Sequence, residues 1–402
     1  MLFINVLREF RAPLIVRYRY TRCPFSGVIP KVRQIFTKRT LVLFLTYYAI
    51  TLGIPKQRLC KSPLLRKQLS LPWSSSPAFF ISWELYLRHK GYLADYDDGP
   101  ELWAHTRAMV YEPADKATVF IGSSRIKYDL DIPEWQRLSG THAIQLAMTG
   151  SSPRLILTNL ANDPNFKGRL IIDVTEGLFF DFHGDAKPAG GIAYYKTQTP
   201  AQKVSFQLGL PLDSKLVFLN SGRFSMNALL GEMHVPDRPG VIPFLDFPVD
   251  FQFNSFDRQQ SMTPAFEADT NKINQVKGIW SMFARMFARE KPLSGPPLDS
   301  FMLSVKADID KIRTRGGQVI FTRTPSSGPY AMGEKMGYPR TAYWDKLLAV
   351  TGCEGIHYAD YPATAQLTCP EWSHLNPHDA VVYTQTLFNA LETKKLTPTP
   401  TH

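Results

Sequence analysis

Ser124 follows a short apolar run and a glycine, a position in which a serine side chain can serve as a nucleophile. The run spans 117–121, Gly122 ends it, and Arg125 is placed to open a helix. A continuous apolar run bounded by a glycine turn is typical of a strand buried on both faces of a parallel sheet. Such sheets bind ligands at the carboxyl ends of their strands, where N–H groups at a helix N-terminus stabilise an oxyanion. The alternative is a structural turn in which Ser124 is the helix N-cap.

Glu371 and His374 form a second group that could do chemistry. They are three residues apart in the loop 369–377, so in a turn or a first helical turn they share a face. A carboxylate that holds one ring nitrogen of an imidazole leaves the other free as a general base, as in a Ser-His-acid triad. The alternative is a surface capping pair. The place of this loop after the last predicted strand favours the catalytic interpretation, because Ser124 is expected at the same sheet edge.

Strands and helices alternate along two parts of the chain, which predicts a parallel sheet with right-handed crossovers. The strands, some with the turn that follows, are predicted at 117–121, 142–147, 168–176, 318–323 and 355–360. The helices are predicted at 154–161, 298–315, 343–350 and 379–392. The expected fold is α/β, a flavodoxin-like three-layer α/β/α arrangement of about five parallel strands, with a large mixed insertion and an N-terminal membrane anchor.

The insertion, residues 179–300, interrupts this alternation and is expected to cap the site. Residues 241–254 resemble a strand, and residues 263–290 predict a helix with apolar side chains at helical spacing. An apolar stripe of that kind is far more often packing than a cofactor site. Upstream, residues 78–112 mix many aromatic side chains with charges and predict helices on the outside of the sheet.

The charge distribution argues against a nucleic-acid partner. The 402-residue chain has a formal net charge of +11, but the excess lies in residues 1–70, where Glu9 is the one acidic residue. The remainder is close to neutral, so the basic balance does not indicate a nucleic-acid surface. The sequence also has no phosphate-binding glycine signature and no Cys/His spacing typical of a metal site. No metal and no cofactor are therefore expected.

The uncharged apolar run 41–54 directly follows Lys38 and Arg39. It is shorter than the roughly 20 residues of a spanning helix and closer to the core of a signal peptide. No small-residue cleavage site follows it, so we expect an uncleaved signal anchor with the body exported to the periplasmic or extracellular side. The alternative is a buried helix of a cytosolic protein. An exported body would allow Cys353 and Cys369 to form a disulfide.

These observations divide the chain into segments of different expected roles. They are a basic tail at 1–40, a signal anchor at 41–55, a linker with flanking helices at 56–116, the first part of the α/β domain at 117–178, the insertion at 179–300, the second part at 301–392 and a tail at 393–402.

The chemistry-bearing residues resemble the motif blocks of the SGNH/GDSL hydrolase superfamily, particularly its membrane-anchored bacterial members related to cell-envelope polysaccharide acetylation. Gly122-Ser123-Ser124 is similar to the nucleophile block, with Ser123 in place of the usual Asp. Gly150 matches the oxyanion glycine, and Glu371-Trp-Ser-His374 is similar to the D-x-x-H block, with Glu in place of Asp. The resemblance covers about 117–178 and 300–391.

This resemblance implies a Ser-His-acid esterase or O-acyltransferase that acts on acylated envelope glycans, with Ser124 as nucleophile, His374 as base and Glu371 as the orienting acid. The third block normally carries an Asn that completes the oxyanion hole, and here Thr175 is the residue expected at that position. The alternative is a non-catalytic envelope protein that keeps the fold as a binding or scaffolding module.

Three further side chains are candidates for substrate binding. Arg125 and Arg323 could face an anionic group of the substrate, although an ion pair within the protein is the more common role of such residues. Trp372 could stack on a sugar, and packing is its alternative role.

Overall fold

The computed structural model describes residues 75–181, 186–231, 247–287 and 289–396. The chain divides into two units, residues 1–79 and 80–402. Of the first unit only 75–79 are described, as the start of a helix. The predicted basic tail and signal anchor therefore lie outside the described residues.

Five parallel strands form the main sheet of the second unit, which confirms the α/β prediction with five parallel strands. These strands are β1 (Ala117–Ile121), β2 (His142–Gln145), β3 (Arg169–Asp173), β6 (Gln318–Arg323) and β7 (Glu354–His357). Their order across the sheet is β2-β1-β3-β6-β7, and each neighbouring pair is parallel. Counted along the sheet strands alone, this is the order 2-1-3-4-5, one of the two common orders of doubly wound sheets.

Helices cover both faces of the sheet, as the continuous apolar strands require. Along β1, Val119 packs into one hydrophobic core and Phe120 into the core on the opposite face. In β3 the neighbours Leu170 and Ile171 divide in the same way. Successive side chains of a strand point to opposite faces, so two buried faces demand an unbroken apolar run.

The helices that cover the sheet lie in the two predicted α/β segments. On the face of Val119 they are α5 (Arg154–Ala161), α13 (Gly295–Thr314) and α15 (Trp344–Thr351). On the face of Phe120 they are α3 (Ser124–Asp129), α4 (Ile132–Ser139) and α17 (Pro377–Thr393). Shorter helices α6 (Glu176–Phe179), α14 (Gly328–Gly337) and α16 (Pro362–Ala365) follow strands β3, β6 and β7.

Outside these layers lie the helices before β1 and those of the insertion. They are α1 (Ser75–His89), α2 (Pro100–Ala108), α7 (Ala186–Thr197), α8 (Pro200–Asp213), α9 (Ser221–Phe224), α10 (Met226–Gly231), α11 (Pro264–Glu267) and α12 (Thr270–Met286). Leu102 and Trp103 bury α2 against the body, as predicted for residues 78–112, whereas α1 buries little.

The part of the insertion around residues 247–280 forms a small hydrophobic core of its own. Its buried members are Phe251, Met262, Phe266 and Val276, and Tyr128 of α3 joins them. A short antiparallel hairpin, β4 (Phe253–Asn254) with β5 (Gln260–Ser261), precedes α11. The strand predicted over 241–254 is thus reduced to two described residues, because a 3₁₀ turn at Val249–Phe251 precedes β4.

The last sheet strand is also shorter than predicted. Residues 358–360 form a 3₁₀ turn rather than strand, because His357 Nδ1 accepts a hydrogen bond from the Ala359 N–H at 3.1 Å and caps that turn. None of the helices in the described ranges is both long and apolar enough to cross a membrane.

Cys353 and Cys369 are free buried thiols, so the disulfide expected for an exported body is absent from this structure. The physical reason is the sheet itself. Cys353 packs into the core on the Val119 face, and Cys369 packs into the core on the Phe120 face. Burial raises the pKa of both thiols above the ordinary value.

Candidate functional site

Ser124 lies at the carboxyl end of β1, where a tight turn leads directly into α3. Gly122 is required in that turn, because a Cβ there would lie 2.8 Å from the Cβ of Asp173. Ser123 is the N-cap of α3, and its hydroxyl accepts from the Arg125 N–H at 3.3 Å. The alternative role considered for Ser124, that of N-cap, therefore belongs to Ser123. This leaves the half-buried Ser124 side chain free to meet another partner.

That partner is His374, and the two residues form one continuous chain of hydrogen bonds with Glu371. Ser124 Oγ lies 2.9 Å from His374 Nε2. On the far side of the ring, His374 Nδ1 lies 2.9 Å from Glu371 Oε1. The imidazole and the carboxylate are buried, so this contact is shielded from water. The order serine, imidazole, carboxylate is the geometry of a Ser-His-acid triad.

Glu371 also organises the backbone that carries the histidine. Its Oε1 accepts from the His374 N–H at 2.6 Å and from the Ser373 N–H at 3.3 Å. One carboxylate oxygen thus fixes both the histidine main chain and its ring. Asp129 of α3 adds a further contact, since its Oδ1 accepts from the Leu375 N–H at 2.9 Å. Burial raises the pKa of Asp129 well above the ordinary value.

Aromatic side chains from α3 and the insertion surround the imidazole. The rings of Tyr128, Phe251 and Trp280 have centroids 4.3, 5.8 and 6.0 Å from the ring of His374. Trp280 makes a polar contact as well, because its indole N–H donates a hydrogen bond to Glu371 Oε2. Both oxygens of the acid are therefore engaged.

Trp280 is the site residue that sequence reasoning missed. It lies in the helix predicted over 263–290, and its position fits the apolar stripe of α12 as well as the positions of the neighbouring apolar residues do. No signal in the sequence distinguishes an indole that packs from one that also reaches a carboxylate in a distant loop.

The two residues expected to support an oxyanion occupy different surroundings. Gly150 lies in the exposed turn after β2, with a φ of +62°. The hydroxyl of Thr175 lies 2.7 Å from Ser123 Oγ and donates to Asp173 Oδ2 at 3.2 Å. A threonine hydroxyl has one proton to donate, so this proton is already engaged within the protein. Burial raises the pKa of Asp173 to about 6.

Arg125 and Arg323 make ion pairs within the protein, the more common of the two roles considered. Arg125 pairs with Glu334, and Arg323 binds both Glu334 and Glu176, the latter at 3.1 Å. Both guanidinium groups are almost fully buried. Burial acts to raise the pKa of Glu334, but Arg125 and Arg323 prevail and lower it to about 2. The cluster joins α3, α6, β6 and α14 near the site.

Trp372, the remaining substrate-binding candidate, is half-buried between the two catalytic candidates of the loop. Its φ is +82°, and its carbonyl accepts from the Ser327 N–H at 2.9 Å. Its ring packs on Gly328, where a Cβ would lie 2.8 Å from the indole. The Lys277 ammonium lies 5.6 Å from the ring centroid.

The described ranges contain no group of three or more His, Cys, Asp or Glu side chains arranged to hold a metal ion. No family model matches the sequence, and no curated protein matches it either. The geometry of the site therefore carries the functional argument.

Proposed function

We propose that this protein is a serine-dependent esterase or O-acyltransferase. The observation that supports the proposal is the hydrogen-bond chain Ser124–His374–Glu371, with 2.9 Å at each of its two side-chain contacts. Those distances lie within the range in which a base can take the proton of a nucleophile.

In the proposed reaction Ser124 Oγ attacks the carbonyl carbon of an ester while His374 Nε2 takes the hydroxyl proton. The C–O bond to the leaving alcohol then breaks, and His374 returns the proton to that alcohol. In the second half, water or an acceptor alcohol gives its proton to His374 and attacks the carbonyl carbon of the acyl-serine. The bond from that carbon to Ser124 Oγ then breaks, and His374 returns the proton to Oγ. Glu371 remains a carboxylate and stabilises the imidazolium.

The N–H groups of Ser124 and Gly150 are the proposed oxyanion donors. Thr175 was expected to add a hydroxyl donor, but that hydroxyl donates its hydrogen bond to Asp173. This argues for an oxyanion hole with two donors. Removal of one oxyanion donor typically costs about 10²–10³ in rate. We therefore expect slow hydrolysis of simple esters.

The finer assignment, a flavodoxin-like SGNH/GDSL hydrolase fold on an exported body with a membrane anchor at 41–55, belongs to the same proposal. The sheet order supports it, as does the placement of Ser124 after β1 and of Glu371 and His374 in the loop after β7. Ester groups of envelope glycans are the proposed substrates, and the half-buried Trp372 is the residue proposed to stack on a sugar ring.

Labelling by a fluorophosphonate, which phosphonylates an activated serine, tests the nucleophile. We expect an adduct on Ser124 of the full-length protein and its loss in Ser124→Ala and His374→Ala. Ser123→Ala is the matched control, because the Ser123 hydroxyl is buried and occupied, and its adduct on Ser124 should remain. Absence of the adduct in folded wild-type protein would refute the enzyme and favour the non-catalytic envelope module, to which the engaged Thr175 hydroxyl lends support.

A further inference from the structure

Helix α8 is apolar but buries none of its residues. Val204, Leu208 and Leu212 recur at four-residue intervals and are 53, 72 and 55% exposed. Residues at this spacing lie on one side of a helix, so they form a continuous apolar stripe. Packing of an apolar stripe normally supplies most of the stability of a helix in water, which makes an uncovered stripe exceptional.

Helix α1 shows the same anomaly from residue 80 onward. Glu84 and Leu87 are its buried residues in that stretch, whereas Ile81 and Leu85 are 60 and 61% exposed. Trp83 and Tyr86 are also exposed. Large contiguous apolar surfaces of this kind mark sites of interaction with a protein or a membrane.

Helix α1 contacts the segment that follows α8. Glu84 of α1 accepts from the Val217 and Phe218 N–H groups at 3.1 Å each, and Phe80 stacks on Phe218 with centroids 5.6 Å apart. Both partners lie in the 3₁₀ turn Val217–Leu219, which follows α8 closely. The apolar face is defined here as Ile81, Trp83, Leu85, Tyr86, Val204, Leu208, Leu212 and Leu219.

The charges beside the apolar face are mostly positive. Lys203 of α8 is exposed, as are Lys90 just after α1 and Lys215 just after α8, and Asp213 is the exposed acid of the two helices. The one other acid of the two helices, Glu84, accepts from the two backbone N–H groups and forms an ion pair with Arg88 at 2.7 Å, so these two charges offset each other. Basic side chains around an apolar face with Trp and Tyr are the composition of an interfacial segment that binds anionic lipid.

We propose that the apolar face lies in the headgroup and upper acyl region of an anionic lipid bilayer. A lipid surface is favoured over a second copy because the chain just upstream carries the apolar run 41–54 and then the bases Lys56, Arg58, Lys61, Arg66 and Lys67. Residues 55–74 separate that run from α1, and a fully extended chain reaches about 3.3–3.6 Å per residue. A membrane-bound run would keep the apolar face within reach of the same bilayer.

Quenching of Trp83 by brominated lipid tests the proposal in the full-length protein. The protein is reconstituted into vesicles of phosphatidylcholine and phosphatidylglycerol with plain or brominated acyl chains. The fluorescence of Trp83 is obtained as the difference between wild type and Trp83→Phe. We expect brominated chains to quench most of this difference. An equal difference in both vesicles would overturn the proposal, even if the run 41–54 holds the protein on the vesicle.

A charge placed on α8 provides a second measurement. Leu208→Asp with Leu212→Asp should remove most of the Trp83 quenching, because two carboxylates resist insertion beside anionic lipid. Leu303→Asp on α13 is the matched control, since Leu303 is 59% exposed in another helix, and it should leave the quenching unchanged. Equal loss in both variants, or a dimer in which Trp83 is inaccessible to lipid, would contradict the membrane assignment.

Discussion

The contact between Trp280 and Glu371 links the insertion to the proposed catalytic acid and gives the sharpest test of the site. Trp280→Phe keeps an aromatic ring beside Phe247 and His374 but removes the N–H that Glu371 Oε2 accepts. Glu371 is fully buried, so water cannot readily replace the lost donor. The carboxylate oxygen would be left without its partner in a low-dielectric setting.

A hydrogen bond to a charged group contributes about 1.5–3 kcal/mol. If this whole amount is lost in the transition state, kcat falls by about 10- to 150-fold, since about 1.4 kcal/mol corresponds to a factor of ten. KM should change little, because the indole N–H contacts Glu371 and not the substrate. The same loss should appear as a lower free energy of unfolding.

Hydrolysis of p-nitrophenyl acetate and unfolding in urea measure the two effects. Trp135→Phe is the matched control: Trp135 is buried, and its indole N–H has no hydrogen-bond partner among the described residues. It should retain the wild-type kcat even if packing costs some stability. A wild-type kcat in Trp280→Phe, or equal losses of kcat in both variants, would refute the role of this contact.

Three other predictions follow from the structure. Gly328→Ala should slow fluorophosphonate labelling of Ser124 several-fold, because the new Cβ would lie 2.8 Å from the indole ring of Trp372 in the loop 369–377. Gly352→Ala shares the positive φ, but its new Cβ would lie an ordinary 3.9 Å from Arg313 Nη1, and this variant should label normally. The pKa of Asp173 is raised from 3.8 to about 6, so the folded state favours its protonated carboxyl. The stability that this protonated group contributes is fully present below pH 3.8 and is lost as the pH rises through 6. The free energy of unfolding should fall by about 3 kcal/mol over that range. Urea unfolding of Asp173→Asn should lack that decline, and a decline equal to that of wild type would contradict it. Cys353 and Cys369 should resist alkylation in the native protein and react fully after unfolding without reductant; a requirement for reductant would contradict the free thiols.

The elements that were predicted well are those whose signal is local. The bounds of β1, of β6 and of α5 at 154–161 agree with prediction. A buried strand and an amphipathic helix can each be recognised from the hydrophobic pattern of consecutive residues. Ser124, Glu371 and His374 were predicted at one sheet edge because they follow the carboxyl ends of predicted strands. Their side-chain contacts also depend on loop geometry.

The features that were not predicted depend on contacts between distant segments. The capping role of Ser123 requires the turn geometry, and the Trp280 contact requires the packing of α12 against the loop 369–377. The apolar stripe of α8 has the spacing of a packed helix, yet it is exposed. Periodicity identifies which side of a helix is apolar, but it does not identify what covers that side.

The pairing of β3 with β6 has a consequence for the order of folding. Asp173 is in register with Thr322, so the centre of the sheet joins positions separated by the entire insertion. Bringing such distant strands together costs loop-closure entropy before any stabilising contact forms, so the pairing of β3 with β6 should be a slow step of folding. Ser124 precedes the insertion and His374 follows β7. The proposed nucleophile therefore meets its proposed base only after the sheet has closed, and a partly synthesised or partly folded chain would carry an inert serine.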